Sequence, residues 1–594
     1  MYAQERTKDV YETIAGYPQP PLIPLPPCED WESLQAMGLK LGGVSCGIVK
    51  AAMSLTGFRA FHRQLPRQLE AILRRSELRG AYLFAPVISA TLALQDDPRN
   101  PDALTRAATL LFAARALYDD IVSARLEPDR LGDQVLEMGQ YPNLFATSMI
   151  IEDKRARLFK STNVTTITVA VAGRLYSLRV GNLGTETTMA QLLTALEQLA
   201  ATARRQRRRN DEPAPGVLSA ADHPTQIKAF SQLQQIRVNA ESLAALRHSF
   251  LTLCLDLESA PGSLAEAALL AHSTNFVNRW HHASMQLVVF GNGKACVICH
   301  FSAYLDGNTM ARAAAELQQR AAAWPLPQNT RQEAGSLAPA TELQWRIAPE
   351  WLRRGSADLR TVLDNQQATF EIPGWGREFF LAHDVEAVPA FILALQMAAR
   401  RLTGKIVRIT QFVSLSRYRC MDLATPVVTT PEVIRFVEAM DSEAMAADRA
   451  MTLLHEAIHS QKEVCRKARH ALPFDDLLAL FLRSRKGVQK WYVLLVAALA
   501  VKILRLLGCY RPLPREVLVS HPEIYPTVPV FGRPGVRLPY VKYFGLHYQI
   551  MDEKIVITVM PAVGWTIPNA ELVAEVRESL QRIQNLIVHA GRKS

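Results

Sequence analysis

The sequence predicts a mixed α/β fold built in two halves, and three observations predict it. Ala- and Leu-rich stretches with helical spacing alternate with β-branched runs along the whole chain, so helices and strands are interleaved. A polar stretch at 325–345 splits the chain into parts that are each long enough for their own core. The composition, 594 residues with 49% apolar and 21% charged, is that of a globular protein. It excludes a disordered, collagen-like or disulfide-scaffold chain.

The elements follow in order. Residues 17–30 are rich in proline and predict a stiff, extended lead-in. From 31 to 128 the pattern is helical, with blocks at 67–76, 83–95 and 103–119. Residues 164–180 are β-branched and broken at Ala172-Gly173, which predicts a hairpin. A helix over 188–209 ends in Arg204, Arg205, Arg207, Arg208 and Arg209, cations that complement the helix dipole as a solvated end. A second hairpin spans 285–300, turning at Gly291-Asn292-Gly293, where glycine and asparagine supply positive φ. Helices are expected at 309–323, 385–402, 431–470, 475–507 and 568–590, with strands at 405–413 and within 528–560.

The net charge is +11, and the arginine run carries nearly half of it. The remainder is too mild for the broad basic face of a nucleic-acid protein and suits an acidic partner. Eight scattered cysteines fit a reducing, cytoplasmic setting. The first residues, Met1 to Arg6, show no apolar core of a secretion signal, and Arg592-Lys593-Ser594 is no peroxisomal address. The most apolar run, Trp491 to Val501, is followed by Lys502 and Arg505 and is short for a membrane span, so none is expected.

Three motifs invite chemistry. His455-Glu456-Ala457-Ile458-His459 matches the zincin H-E-x-x-H, in which two imidazoles on one helix face hold zinc, but no third-ligand signature follows. Cys296-Val297-Ile298-Cys299-His300 matches the haem-attachment pattern, yet it falls in a hairpin strand. His281 and His282, after Trp280, read as a surface pair.

Several segments together resemble the choline/carnitine O-acyltransferase family. They are Pro20 to Pro27, Glu137-Met138-Gly139-Gln140-Tyr141-Pro142 with Leu144-Phe145, Pro215 to Ser219, Asn278-Arg279-Trp280, Gln396-Met397-Ala398 before Gly404-Lys405, Phe474-Asp475 with Leu477-Leu478, and Tyr543 to Tyr548. They occur in family order over about 17–590. The resemblance implies two chloramphenicol-acetyltransferase-like α/β halves, mixed sheets flanked by helices, with an active-site tunnel between them. The expected divisions are an N-terminal helical segment, 1–110, packed on the C-terminal half, a first half over 111–345 with the catalytic histidine, and a second over 346–594 with donor and acceptor sites.

The implied chemistry is direct acyl transfer from a thioester to a hydroxyl, in which a neutral histidine takes the hydroxyl proton. At the family's base position stands His300. Asp306, six residues on, either orients it or pairs with Arg417. Arg377 and Lys405 are placed at the donor, Gln411, Ser416 and Asp476 at the acceptor, and Thr527 at the oxyanion. The family's donor-site lysine pair is replaced by Leu381 and Ala382, which disfavours free coenzyme A and favours phosphopantetheine on an acyl carrier protein. That pairing resembles the chain-releasing domains of fungal polyketide synthases. Asp476 disfavours an anionic acceptor, so an alcohol or polyol is expected, with a cationic acceptor such as choline left open, on a monomer without cofactor or metal. The competing readings are a repurposed member that binds without catalysis, and a zinc hydrolase through His455 and His459.

Overall fold

Two sheets carry the chain and meet at a shared seam. The computed structural model describes residues 15–74, 89–152, 154–206, 214–300, 305–326, 337–421, 423–441, 446–522 and 528–591. The first sheet has eight strands in the order Thr341–Glu342, Arg174–Arg179, Thr166–Val171, Thr252–Asp256, Met285–Phe290, Ala295–Cys299, Ala90–Ala93 and Val530–Gly532. The second has five, Thr369–Pro373, Lys554–Pro561, Phe544–Ile550, Val517–Ser520 and Ile409–Gln411. Both sheets are mixed: Thr252–Asp256 and Val517–Ser520 each run parallel to both neighbours, while the hairpins are antiparallel. The central strands are buried at every position. That is why they read as continuous apolar runs rather than alternating ones.

Both expected hairpins form, 166–171 with 174–179 and 285–290 with 295–299. Other elements differ. The block at 83–95 was expected to be helical, but Ala90–Ala93 is a strand between Ala295–Cys299 and Val530–Gly532. A short apolar run fits either state, and the open slot in the sheet decides it. The expected helices 431–470 and 475–507 each divide in two, into Pro431–Met440 with Ala447–Ala468 and Phe474–Ser484 with Gly487–Leu506. The last of these has 20 residues and is long and apolar enough, by length and composition, to cross a membrane. The apolar run Trp491–Val501 lies within this helix, which carries Lys490 and Lys502 inside its ends.

The proline-rich lead-in lies across the C-terminal half, where Pro21 and Pro24 carbonyls accept from Arg419 N (3.0 Å) and Leu472 N (2.8 Å). Phe58 follows it, edge-on to Phe474 and Phe481. The segment 1–110 is nonetheless not one unit: Ala90–Ala93 belongs to the first sheet, and residue 110 falls inside the helix Ala103–Val122. Nor does the second half stay apart. Its strand Val530–Gly532 leaves to pair with Ala90–Ala93, Thr91 opposite Gly532 and Ala93 opposite Val530. One buried apolar cluster accordingly runs from Tyr17 to Ile587 through both sheets.

Candidate active site

The register of the seam decides what stands at its edge. Cys299 pairs with Ala90, and Gly532 with Thr91, so the chain leaves the sheet at His300 and at Arg533 along one edge. One strand, Ala90–Ala93, lies between them, two strand spacings or roughly 10 Å. His300 is buried, and its N donates to the Ser284 carbonyl at 3.0 Å. Its ring donates to its own main-chain carbonyl. Only Nδ1 reaches that oxygen, so Nδ1 carries the proton and Nε2 the lone pair. Burial pulls the imidazole down to about pKa 4, against the smaller opposing effect of that hydrogen bond. The ring is therefore neutral at pH 7.

Asp306 does different work. Its carboxylate caps the helix Gly307–Ala323, accepting from Thr309 N at 2.8 Å, and its own N donates to Gln140 Oε1 at 2.8 Å. Gln140, from the segment 137–145 singled out in the sequence, thus fixes the start of that helix. Among the described residues the ion pairs do not include Arg417, so the expected Asp306–Arg417 pair is not made. The carboxylate is turned to the helix N-terminus instead.

A cavity opens beside this edge, with ≈ 430 Å³ of empty space counting the solvent at its mouth. Its described lining comes from both halves: Gly307 and Asn308 from the capped helix, Phe412, Ser414 and Leu423 from the Val413–Ser414/Leu423–Ala424 pair and its lead-in, Ser520 and His521, Phe531 and Arg533, and His547. The parallel strands Ile409–Gln411 and Val517–Ser520 end there, the usual place for a site in such a sheet. His547 Nδ1 and Ser520 Oγ are hydrogen-bonded. Burial, then Arg533 and His272, hold the His547 imidazole well below its ordinary pKa. Arg533 is itself enclosed, and no carboxylate lies on the described wall, so the wall is cationic.

The expected acceptor residues divide. Gln411 reaches His521 (Nε2 to Nε2, 3.4 Å), and Ser416 Oγ is 2.7 Å from the wall residue Ser414. The Ser416 carbonyl accepts from Glu137 N at 2.6 Å, and Glu137 Oε2 accepts from Cys420 N at 3.1 Å, which ties the two halves together. Asp476 is instead in the first turn of the helix Phe474–Ser484, off the cavity's described lining. Of the donor residues, Arg377 is half-exposed and 4.0 Å from Asp552. Lys405 stands at the opposite end of the parallel strands from the cavity. There it joins Lys542 around Tyr543, and although burial would raise the Tyr543 hydroxyl pKa, the two lysines outweigh it and lower it. Thr527 lies outside the described residues. Sequence reasoning missed Ser520, His521, Arg533 and His547. The Ser520-His521 pair at the end of an apolar strand was the available signal.

His281 and His282 are not on the surface. Both are buried, because Trp280 enters the core and carries its neighbours with it. Burial holds His281 well below its ordinary pKa and His282 near 3, with Nε2 of His282 3.1 Å from Gln226 Oε1. His282 also lines a second cavity with Met149, Phe230 and Arg247, ≈ 780 Å³ of empty space counting the solvent at its mouth. The Cys296 and Cys299 thiols are enclosed in the sheet and pushed up to about 12 by burial. His455 and His459 lie on the exposed side of their helix, and among the described residues no group of three His, Cys, Asp or Glu could hold a metal ion.

Two mixed sheets sharing a seam, with a cavity beside the seam and a buried histidine at the end of a seam strand, define an α/β protein with a candidate site where the sheets meet. The family model for choline/carnitine O-acyltransferase matches residues 78–563, and the chain belongs to that family. It is 25% identical over 281 residues to choline O-acetyltransferase of Sus scrofa, covering 45% of this chain and 43% of that one. To carnitine O-acetyltransferase of Mus musculus it is 24% identical over 446 residues, covering 70% of each. The chain thus matches less than half the length of the Sus scrofa protein. A solved structure described as the molecular basis for condensation domain-mediated chain release from the enacyloxin polyketide synthase is similar at 13% identity and TM-score 0.34, covering 94% of this chain and 96% of that chain.

Proposed function

We propose that the protein is an O-acyltransferase that moves an acyl chain from a thioester to a hydroxyl acceptor in the cavity at the seam, with His300 as general base. The observation that carries this reading is His300 itself: neutral, its Nδ1 bound to its own carbonyl, on the sheet edge it shares with the cavity residue Arg533. Nε2 takes the acceptor's proton as the oxygen attacks the thioester carbon. The tetrahedral oxyanion takes hydrogen bonds from donors on the wall, Ser520 among them, and its collapse expels a thiolate that recovers the proton from His300.

The donor is a thioester of coenzyme A or of an acyl carrier protein, the latter in polyketide or other secondary-metabolite synthesis. Two features support the carrier: Arg377 is off the cavity's described lining, and Lys405 is remote from the cavity. An uncharged alcohol or polyol suits the acceptor side, since Arg533 would repel a trimethylammonium group. Thiol release from one acyl group, offered on coenzyme A and on a carrier protein with a mixed alcohol, polyol and choline pool, tests both points. Release that is lost in His300→Ala supports the reading; release that survives it, or none from either donor, sinks it.

The Ser520–His547 hydrogen bond favours a second reading, in which Ser520 Oγ takes the acyl group first, releasing the thiol, and then passes it on. Intact mass after incubation with donor alone separates the two, because only this route leaves an acyl group on the protein.

A further inference from the structure

We infer that the helix Gly487–Leu506 and the helix Gly43–Leu55 beside it form a docking platform for the surface of an anionic lipid bilayer. Only two of the long helix's residues, Val493 and Leu504, are buried. They are eleven apart, three helical turns, and seat one face on the body. The opposite face is an apolar stripe facing outward. Val488 is 85% exposed, Trp491 76%, Leu495 68% and Leu506 78%, with Leu499 between them. Gly43–Leu55 packs alongside and adds exposed Val44 and Leu55. A contiguous apolar patch of this kind marks an interaction surface.

Charge selects the occupant. The helix Gly487–Leu506 contains Lys490, Lys502 and Arg505, all exposed, and no Asp or Glu. A second copy laid on the stripe would bring lysines against lysines. An anionic headgroup layer meets both features at once, with the stripe in the acyl boundary and the cations among the phosphates. Trp491 and Tyr492 add the aromatic anchors of a membrane interface. The connections favour lying flat over crossing. Before the helix, Phe481 packs on Phe58; after it, Lys40 N donates to the Cys509 carbonyl at 2.8 Å. Both ends therefore return to one folded body, whereas a crossing helix would part them by roughly 30 Å, on opposite sides of the bilayer.

The test floats the full chain with phosphatidylcholine vesicles, with and without phosphatidylserine. Co-flotation with the anionic vesicles is expected, weakened by Lys490→Glu/Lys502→Glu and cut about tenfold or more by Leu495→Glu/Leu499→Glu. Bound protein should wash off in alkaline carbonate. Brominated lipid should quench tryptophan fluorescence in the unaltered protein, and the conservative Trp491→Phe should remove most of that quenching. Absence of wild-type binding, binding that survives Leu495→Glu/Leu499→Glu, or quenching that Trp491→Phe leaves unchanged would overturn the proposal. So would resistance to carbonate, which assigns a crossing helix, or a dimer in light scattering that Leu495→Glu/Leu499→Glu splits, which assigns the stripe to a second copy.

Discussion

Arg279 is fully enclosed, and its charge is answered inside the protein. Its Nη1 and Nη2 lie 3.1 and 2.9 Å from the two Asp256 oxygens, and Nε donates to the Ala271 carbonyl at 2.9 Å. Burial alone would raise the Asp256 carboxyl pKa, but the guanidinium outweighs it and holds it below the usual range. Asp256→Ala would strand a buried cation, so it should cost about 3–5 kcal/mol in urea unfolding. A depressed carboxylate contributes stability above its unfolded pKa of about 3.9, and that stability is lost as pH falls through the folded value. At His300 the expected readout is kinetic. His300→Gln should lower acyl transfer by about 10²- to 10⁴-fold. With the imidazole near 4, the acid limb of kcat/KM should fall near pH 4. A limb near 6.5, the ordinary histidine value of about 6.5, would refute the assignment of this buried ring as base. The place of His300 at a strand end was legible in the sequence. Its burial and the bond to its own carbonyl were not, because both are properties of the fold.

At the scale of elements, the strand Val530–Gly532 shows what a pattern can and cannot tell. Its apolar run was read as β-structure, yet nothing in Val-Phe-Gly names the sheet it joins. Gly532 permits the close crossing: its φ is +153°, and a Cβ there would fall 2.8 Å from Thr558 Cγ2 and 3.2 Å from His547 Cδ2. Gly532→Val should therefore lower Tm by several degrees and reduce activity along with it, since the strained turn leads into Arg533. Unchanged melting would mean that the crossing tolerates a side chain. The same blindness to long-range pairing explains Ala90–Ala93, read as helix, and the hairpin Thr147–Glu152 with Arg155–Lys160, not foreseen at all. The hairpins Thr166–Arg179 and Met285–Cys299 were legible because their turn residues are local.

Across the whole molecule, buried neutral histidines set the response to acid. His281, His282, His300 and His547 are all held below the ordinary range by burial, His282 to about 3 and His300 to about 4. Above about 6.5 both folded and unfolded forms are neutral; below it the unfolded chain binds protons that the folded one refuses. Stability should thus fall as pH drops from about 6.5 toward 4. Tm measured at pH 7.5 and at pH 5 should show it, and His282→Gln should flatten the slope. A pH-independent Tm across that window would show that these rings are charged in the fold. The donor and acceptor assignments were the least legible, because loose motif matches placed Lys405 and Asp476 by order along the chain, while the cavity is assembled across two sheets.

The seam also has a consequence for synthesis. Ala90–Ala93 emerges from the ribosome early, yet its partner Val530–Gly532 follows more than four hundred residues later. Until then the first sheet ends in an open edge, a template for pairing with another chain. Nascent or truncated forms that stop before residue 530 should therefore depend on chaperones far more than the finished protein does.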